Sequence, residues 1–379
     1  MTVMPPSLRS AIEPFHAMDV LARANAKVRE GASVVSLAVG QPSAPAPLPV
    51  REAAARATRD GPIGYTDALG RGELRDVIAA HYADHYGVAV PADRIAVTTG
   101  SSAGFALAFL AMFDPGDRIV IERPGYPAYR NIMRVLGLRV VEVDRLDAET
   151  LGAVHREGPV RGLLIASPAN PTGTVIDPAR FEALLRIAAE HGVRVISDEI
   201  YHRLTYGGIA DRTALKFDET AVVINSFSKY YCMTGWRIGW MVLPADLVRP
   251  VERIAQSLYI SAPDASQIGA VHAFDATDEL DRVRATYAAN RDALLDVLPS
   301  LGFRLAARAD GAFYAWCDVS ALTNDAKAFS HRMLDEAGVA APSGHDFDPE
   351  NGDRTMRLSY AGSPADIEEA IHRLRRWVS

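Results

Sequence analysis

The chain has 379 residues, of which 49% are hydrophobic and 23% are charged. This composition excludes a largely disordered protein, and the length favours two domains or one large α/β domain with a smaller satellite. The net charge of −7, without a run of lysine or arginine, argues against a nucleic-acid-binding surface. Neither a secretory leader nor an apolar run of membrane-spanning length is evident, so the predicted location is the cytoplasm. The spacing of Cys232 and Cys317 predicts neither a disulfide framework nor a zinc site.

The elements predicted along the chain begin with an N-terminal arm and a proline-rich connector at residues 43–49, which we expect to be extended. From about residue 94 to 242 one unit repeats: a short apolar strand, a turn rich in Gly, Pro or Ser, and a helical stretch. This alternation predicts a mostly parallel sheet covered by helices. The predicted strands are 95–99, 118–122, 139–143, 162–166, 194–198, 221–226 and 239–243. The predicted helices are 103–113, 128–136, 178–191 and a long stretch after residue 266.

The C-terminal part of the chain has a different pattern of predicted elements. A helix at 291–298, strand-like runs at 311–318 and 355–360 and a closing helix at 364–377 predict a smaller α+β domain. The predicted fold class is therefore α/β: a large domain with a mostly parallel seven-stranded sheet between helices, plus a smaller α+β domain built from the N-terminal arm and the C-terminal part. The predicted boundaries are 1–45 for the arm and part of the small domain, 46–280 for the large domain and 281–379 for the small C-terminal domain.

The most informative segment is 225–241, an apolar, aromatic-rich stretch with two cations, Lys229 and Arg237, and two hydroxyls, Ser226 and Ser228. A lysine amine among apolar groups and beside another cation has a lowered pKa and becomes a nucleophile toward a carbonyl carbon. The hydroxyls and the guanidinium suit a phosphate dianion. The segment therefore predicts Schiff-base chemistry on a phosphorylated aldehyde; the alternative is a buried strand and turn whose lysine reaches solvent.

Several predicted strands are followed by polar residues, and ligands of open α/β sheets bind at the carboxyl ends of the strands. Ser101 and Ser102 follow one strand and begin a helix, a position that suits a phosphate or, alternatively, an ordinary N-cap. Asn170 lies between two prolines, whose rigidity suits a hydrogen bond to a ring oxygen or simply a good turn.

Asp198 ends a further predicted strand, where its carboxylate could pair with a protonated pyridine nitrogen or cap a helix. Tyr201 could donate to the phenolic oxygen of the same ring. Tyr126 could stack on a planar cofactor or belong to the core. Arg357, in an alternating strand of the small domain, could bind a substrate carboxylate or be solvated.

Together these positions resemble the class I/II aminotransferases of the pyridoxal-phosphate fold type I superfamily, from about residue 12 to 377. The most specific part is 226–239, supported by Asn170-Pro171-Thr172-Gly173 and by 197–201. The resemblance implies an enzyme that moves the amino group of an L-amino acid to a 2-oxo acid by a ping-pong mechanism. It also implies pyridoxal 5′-phosphate as cofactor, a homodimer and no metal.

The same resemblance implies a role for each matching residue. Lys229 would form the cofactor aldimine and shuttle a proton between the substrate α-carbon and the cofactor C4′. The other implied catalytic residues are Asp198, which keeps the pyridine nitrogen protonated, and Tyr201. The implied cofactor-binding residues are Ser101, Ser102, Tyr126, Asn170, Asp198, Tyr201, Ser226, Ser228, Lys229, Arg237 and, reaching the neighbouring subunit, Tyr65. The implied substrate-binding residues are Gly40, Asn170 and Arg357.

Two segments depart from the common family pattern, Gly40-Gln41-Pro42-Ser43-Ala44 and 342–348, so the resemblance does not identify the substrate. Three alternatives remain open. The same scaffold could catalyse β-elimination, decarboxylation or cyclisation. Gly100-Ser101-Ser102-Ala103-Gly104 also fits the nucleophile elbow of a serine hydrolase, with Ser102 as nucleophile and His272 or His345 as base. The third alternative is a regulator that combines this domain with a DNA-binding module. The aminotransferase-like pattern starts too early in the chain to leave room for such a module, and the acidic net charge also argues against it.

Overall fold

The computed structural model describes residues 4–38 and 40–378. The strands are β1 (Val35–Ser36), β2 (Ile95–Thr98), β3 (Arg118–Glu122), β4 (Arg139–Val143), β5 (Gly162–Ala166), β6 (Arg194–Asp198), β7 (Val222–Ser226), β8 (Gly239–Val242), β9 (Arg304–Leu305), β10 (Tyr314–Asp318), β11 (Val339–Ala340) and β12 (Thr355–Ser359). The helices are α1 (His16–Arg29), α2 (Leu48–Asp60), α3 (Gly72–His81), α4 (Ser101–Met112), α5 (Pro127–Val135), α6 (Ala148–Glu157), α7 (Pro178–Glu190), α8 (Ala245–Leu258), α9 (Asp264–Val271), α10 (Thr277–Val297), α11 (Ala326–Arg332) and α12 (Pro364–Val378).

The large sheet has seven strands in the order β2-β8-β7-β6-β5-β3-β4. Strand β8 runs antiparallel to both of its neighbours, and the other pairs are parallel. Both faces of the sheet are covered, which explains why β7 and β8 are buried along their whole length. Val223 and Ile224 belong to different core clusters because successive side chains of a strand point to opposite faces.

The smaller sheet is antiparallel, with the order β12-β10-β9. Nearby, β1 pairs in parallel with β11, and this pairing ties the N-terminal arm to the C-terminal part of the chain. Helix α1 belongs to the same region, since Val20 and Ala24 pack against Leu334 and Ala340. The predicted fold class is therefore confirmed, while the exact boundaries at 45/46 and 280/281 stay predictions.

All seven predicted strands form the large sheet, with ends that differ by at most one residue. The long helical stretch after residue 266 is two helices, α9 and α10. The extended conformation predicted for the connector at 43–49 is wrong for its last two residues. Leu48 and Pro49 form the start of α2. A proline is tolerated in a first helical turn, where its missing N–H is not needed. Among the residues described, no helix combines the length and apolar character needed to cross a membrane.

Candidate active site

A cavity of about 320 Å³ lies where the carboxyl end of β6 meets side chains of β10 and β12. Its position follows the rule for open α/β sheets, whose ligands bind at the carboxyl ends of the strands. Every site residue predicted from the sequence lines this cavity except Ser226 and Tyr65. The predicted residues that line it are Gly40, Ser101, Ser102, Tyr126, Asn170, Asp198, Tyr201, Ser228, Lys229, Arg237 and Arg357.

Lys229 lies in the turn after β7 and extends into the cavity. Its Nζ donates a hydrogen bond to the carbonyl oxygen of Gly40 at 2.6 Å. The same atom lies 5.7 Å from the ring centroid of Tyr201 and 5.8 Å from that of Phe313. The amine is therefore held by one carbonyl group among aromatic rings.

The surroundings of Lys229 change its protonation. Its pKa is lowered to about 8, chiefly by burial and then by the positive charges of Arg357 and Arg237. The carboxylate of Asp198 opposes this shift. Because a larger fraction of this amine is neutral near neutral pH than of an ordinary lysine, it can act as a nucleophile and as a proton acceptor.

Asp198 ends β6 and is only 4% exposed. The hydroxyl of Tyr129 donates to its Oδ2, and the backbone N–H of Ile200 donates to its Oδ1 at 3.1 Å. Burial raises the pKa of Asp198 to about 6, while these two hydrogen bonds and the charge of Lys229 oppose the rise. Tyr129 was not predicted from the sequence. Its only sequence signal is its position three residues after Tyr126, the residue that immediately precedes α5.

Two tyrosine hydroxyls meet beside Lys229. The Oη atoms of Tyr201 and Tyr314 are 2.9 Å apart, and Tyr314, on β10, is a second residue that the sequence analysis missed. A Cβ atom at Gly40 would overlap the hydroxyl of Tyr314. A glycine is therefore required at position 40 for the main chain to pass close to Tyr314 and offer its carbonyl oxygen to Lys229.

Arg357, on β12, is buried with an exposure of 5%. Its Nη1 donates to Oδ1 of Asn170 at 3.1 Å, and its Nη2 donates to the carbonyl oxygen of Ala38 at 2.8 Å. The guanidinium carbon lies 4.3 Å from the ring centroid of Tyr314 and 4.7 Å from that of Phe347. Its Nε has no hydrogen-bond partner in the described part of the chain. A buried N–H without a partner is costly, so this position suits an anionic ligand.

An anion cradle lies at the start of α4. Gly100 precedes this helix with a φ of +79°, and a Cβ atom there would overlap the guanidinium of Arg237. Arg237 is fixed by a hydrogen bond from Nη1 to the carbonyl oxygen of Thr234 at 3.1 Å. The unpaired backbone N–H groups of a helix start and the helix dipole both attract anions. Ser101 and Ser102 add hydroxyl groups at the same place.

The two predicted residues outside the cavity wall have different surroundings. The Oγ of Ser226 is 2.9 Å from the Oγ of Ser228 and 3.1 Å from the carbonyl oxygen of Ile238, so Ser226 supports a residue that does line the cavity. Tyr65 is 83% exposed on the surface. The predicted roles of Ser226 and Tyr65 stay predictions, as do the roles predicted for the residues that line the cavity.

One cavity thus combines a lysine amine of lowered pKa, a buried carboxylate, an anion cradle and a guanidinium with an unpaired N–H. This combination is typical of enzymes that act on carbonyl compounds through a lysine. Among the residues described, no group of three or more His, Cys, Asp or Glu side chains is placed to hold a metal ion.

Comparisons with known proteins agree with this chemistry. The family model described as aminotransferase class I and II matches residues 32–374. A valine–pyruvate aminotransferase of Mycobacterium tuberculosis is 47% identical over 380 residues, which is 98% of this chain and 98% of the relative. An arginine–pyruvate transaminase of Pseudomonas aeruginosa is 31% identical and covers 94% of this chain and 93% of its own length.

Solved structures agree as well. The crystal structure of an aminotransferase from Mycobacterium tuberculosis has a TM-score of 0.96 at 46% identity, covering 99% of both chains. The aspartate aminotransferase from Thermus thermophilus with maleate has a TM-score of 0.91 at 32% identity, covering 99% of this chain and 100% of that one. The chain belongs to the class I and II aminotransferase family, and it is an enzyme that transfers amino groups to 2-oxo acids.

The family assignment overturns the serine-hydrolase and regulator alternatives. In the part of the chain that the structure describes, neither candidate histidine bonds to Ser102. His345 contacts Ser343 and Asp353, and His272 contacts Asp275. The segment Gly100–Gly104 resembles a nucleophile elbow because a strand-to-helix turn at an anion site also uses glycine and serine.

Proposed function

We propose that this enzyme uses pyridoxal 5′-phosphate, the cofactor of its family, to transfer the amino group of a neutral aliphatic L-amino acid to a 2-oxo acid. Two half-reactions at one site would carry out the transfer, the first releasing a 2-oxo acid before the acceptor binds. The observation that carries the proposal is the presence of Lys229 and the unpaired Nε of Arg357 in the same cavity as the anion cradle.

The residues present fit this cofactor. A Cβ atom at Gly100 would overlap the guanidinium of Arg237, so the glycine lets this cation lie against the start of α4, where a phosphate group would bind. The residues that would hold the cofactor are Ser101, Ser102, Ser226, Ser228 and Arg237 at the phosphate, Asp198 at the ring nitrogen, Asn170 and Tyr201 at the ring oxygen, and Tyr126 against the ring. When bound, pyridoxal phosphate supplies an electron sink for negative charge that develops at the substrate α-carbon.

Lys229 would move the proton. Its Nζ accepts the proton of the substrate α-carbon in the first half-reaction and returns a proton to the α-carbon of the acceptor in the second. A pKa of about 8 suits both directions near neutral pH, since both protonation states are populated. The carbonyl oxygen of Gly40, 2.6 Å from Nζ, orients the amine.

Asp198 would keep a proton on the ring nitrogen of the cofactor. Its pKa of about 6 leaves the carboxylate ionised at neutral pH despite its burial. The hydrogen bonds from Tyr129 and from the N–H of Ile200 hold the carboxylate in one orientation. A fixed negative charge there stabilises a protonated ring nitrogen without reorganisation during the reaction.

Arg357 would bind the α-carboxylate of either substrate. A guanidinium offers parallel N–H groups to a carboxylate, and the Nε of Arg357 lacks a partner in the described residues. The rings of Tyr314 and Phe347 fix the plane of the guanidinium. The substrate carboxylate is thereby oriented relative to Lys229.

The proposed donor class follows from the rest of the cavity wall. The cations among its lining residues are Lys229, Arg237 and Arg357, and each already has a proposed role. No cation among these lining residues is left for a second carboxylate, which favours neutral side chains. The Mycobacterium tuberculosis relative is named a valine–pyruvate aminotransferase, which supports an aliphatic donor with pyruvate as acceptor.

A homodimer is part of the proposal. Tyr65 is 83% exposed, Ile63 is 42% exposed and Ile260 is 46% exposed. These residues belong to two chain segments, one around Tyr65 and one around Ile260. Hydrogen bonds from Gly64 N to Asp264 and from Thr66 N to Ser261, each of 3.2 Å, hold these segments side by side. We propose that a second copy covers this apolar surface and receives Tyr65 at its phosphate site. A sedimentation mass equal to one chain of 40.9 kDa would contradict it.

The test is a single turnover with separate L-amino acids and no acceptor, using the enzyme loaded with pyridoxal phosphate. The expected result is one equivalent of 2-oxo acid per site, most rapidly from aliphatic donors, without release of ammonia or carbon dioxide. Subsequent addition of pyruvate should give alanine. Release of ammonia or carbon dioxide in place of transfer would contradict the proposed reaction and favour elimination or decarboxylation.

A further inference from the structure

We infer that Asp346 is a positioning residue that clasps the N-terminal helix α1 onto the cavity and so builds the wall that contacts the substrate side chain. The inference rests on the proposed function, because it concerns which amino acids that reaction accepts. Asp346 lies in the segment 342–348, one of the two places where the sequence departs from the common family pattern.

The clasp consists of hydrogen bonds at the start of α1. Oδ1 of Asp346 accepts from the backbone N–H of His16 at 2.9 Å, and Oδ2 accepts from that of Ala17 at 2.7 Å. These are two of the first N–H groups of the helix, which have no partner within it. Asp346 is only 5% exposed, and its own carbonyl oxygen accepts from Nη2 of Arg130 at 2.6 Å. A remote residue thus caps α1, since its own N-cap residue, Phe15, makes no side-chain capping bond.

Helix α1 has two apolar sides with different partners. Val20 and Ala24 pack against the C-terminal part of the chain. Phe15, Met18 and Leu21 line the cavity and recur every three residues, so they share one side of the helix. The orientation of α1 therefore determines where these three side chains lie.

The same short segment also touches the carboxylate receptor. Phe347, the residue after Asp346, places its ring 4.7 Å from the guanidinium carbon of Arg357. The carbonyl oxygen of Phe347 accepts from the N–H of Gly125 at 3.0 Å. Gly125 precedes Tyr126, whose ring centroid lies 6.3 Å from that of Phe15. Residues 346 and 347 therefore connect the cavity wall proposed to contact the substrate side chain with Arg357, the residue proposed to bind the substrate carboxylate.

The consequence is a dependence on the size of the substrate. Without the carboxylate of Asp346, two partly buried N–H groups lose their partners and the first turn of α1 loosens. A large aliphatic side chain then loses apolar contact with Phe15, Met18 and Leu21. The methyl group of L-alanine buries little apolar area against this wall, so the substitution should cost L-alanine little binding free energy.

The experiment measures the first half-reaction, without an acceptor, in Asp346→Ala and in the wild-type enzyme, both loaded with pyridoxal phosphate, on L-alanine, L-valine and L-leucine. We expect kcat/KM to fall roughly tenfold for leucine and valine but less than about twofold for alanine, a size typical of a lost helix cap. Hydrogen exchange of the first turn of α1 should become faster. Asp346→Asn keeps one acceptor oxygen and should give intermediate values in both measurements.

Asp335→Ala is the matched control. Asp335 also holds α1, through Arg23 at 2.5 Å and Lys27 at 2.9 Å, but at the end away from the cavity. This variant should leave the ratio of kcat/KM between leucine and alanine unchanged. Equal losses for all donors in Asp346→Ala, or unchanged exchange of α1, would overturn the inference. If the wild-type enzyme transferred no amino group, the proposed function would fail separately, and hydrogen exchange alone would decide whether Asp346 clasps α1.

Discussion

Arg357 donates through Nη1 to Oδ1 of Asn170 at 3.1 Å, although the two residues are 187 positions apart in the chain. This hydrogen bond joins β12 of the small sheet to the loop after β5 of the large sheet. The guanidinium that we propose for the substrate carboxylate is thereby held from both sides of the cavity. Because the bond is buried, water does not compete with it.

Replacing this guanidinium tests its role in binding. Arg357→Ala should raise the KM for L-amino acids roughly 10- to 100-fold, the size expected for lost hydrogen bonds to a charged group. Steady-state kinetics with one aliphatic donor and pyruvate would measure the change. Arg354→Ala, which removes an exposed arginine three residues earlier, is the control. An unchanged KM in Arg357→Ala would contradict carboxylate binding by Arg357.

The hydrogen bond from Tyr129 to Asp198 predicts a pH effect. This bond lowers the pKa of Asp198, so Tyr129→Phe should raise that pKa above its value of about 6. The acidic limb of the kcat/KM profile should then move to higher pH, with a loss at pH 6 of roughly fivefold. At pH 8 the loss should be smaller, since Asp198 is ionised in both proteins.

Tyr259→Phe is a control for that measurement, because the hydroxyl of Tyr259 has no partner among the described residues. Its acidic limb should coincide with that of the wild-type enzyme. A parallel drop of the Tyr129→Phe profile at every pH, without displacement, would show that the tyrosine does not act through the ionisation of Asp198.

The anion cradle predicts that replacing two different glycines by alanine has different effects on the affinity for pyridoxal phosphate. Gly100→Ala should weaken the binding of pyridoxal phosphate, because the new Cβ atom displaces the guanidinium of Arg237 from the start of α4. Gly116→Ala imposes a similar backbone strain, since Gly116 has a φ of +96°, but it meets no atom within 4 Å. Titration of the apo-enzymes with cofactor should show at least about tenfold weaker binding for Gly100→Ala only. Equal affinities in the two variants would argue against the cradle.

The lowered pKa of Lys229 predicts how the apo-enzyme takes up its cofactor. Only the neutral amine attacks an aldehyde, so the rate of uptake should rise with pH and reach half its maximum near pH 8. Arg357→Met removes a positive charge that lowers this pKa, so its curve should move to higher pH. A midpoint near the ordinary lysine value of 10.5 in the wild-type protein would contradict the prediction.

The fold was accessible from the sequence because each strand of the large sheet is a short apolar run between turn residues. Lys229 and Arg237 could also be predicted from the sequence, because they lie in one contiguous motif. Tyr129 escaped notice because its partner, Asp198, is 69 residues away and only tertiary packing brings the two together. Asp346 escaped for the same reason, since it caps a helix more than 300 residues earlier in the chain. Such long-range pairs leave no local pattern.

The most direct test of the central claim is a single turnover by Lys229→Ala loaded with pyridoxal phosphate. We predict that release of 2-oxo acid from an aliphatic donor falls by more than about a thousandfold, because Lys229 is the one lysine among the described residues that line the cavity. Lys216→Ala, which removes an exposed lysine, should retain the wild-type rate. Turnover at the wild-type rate by Lys229→Ala would contradict the account.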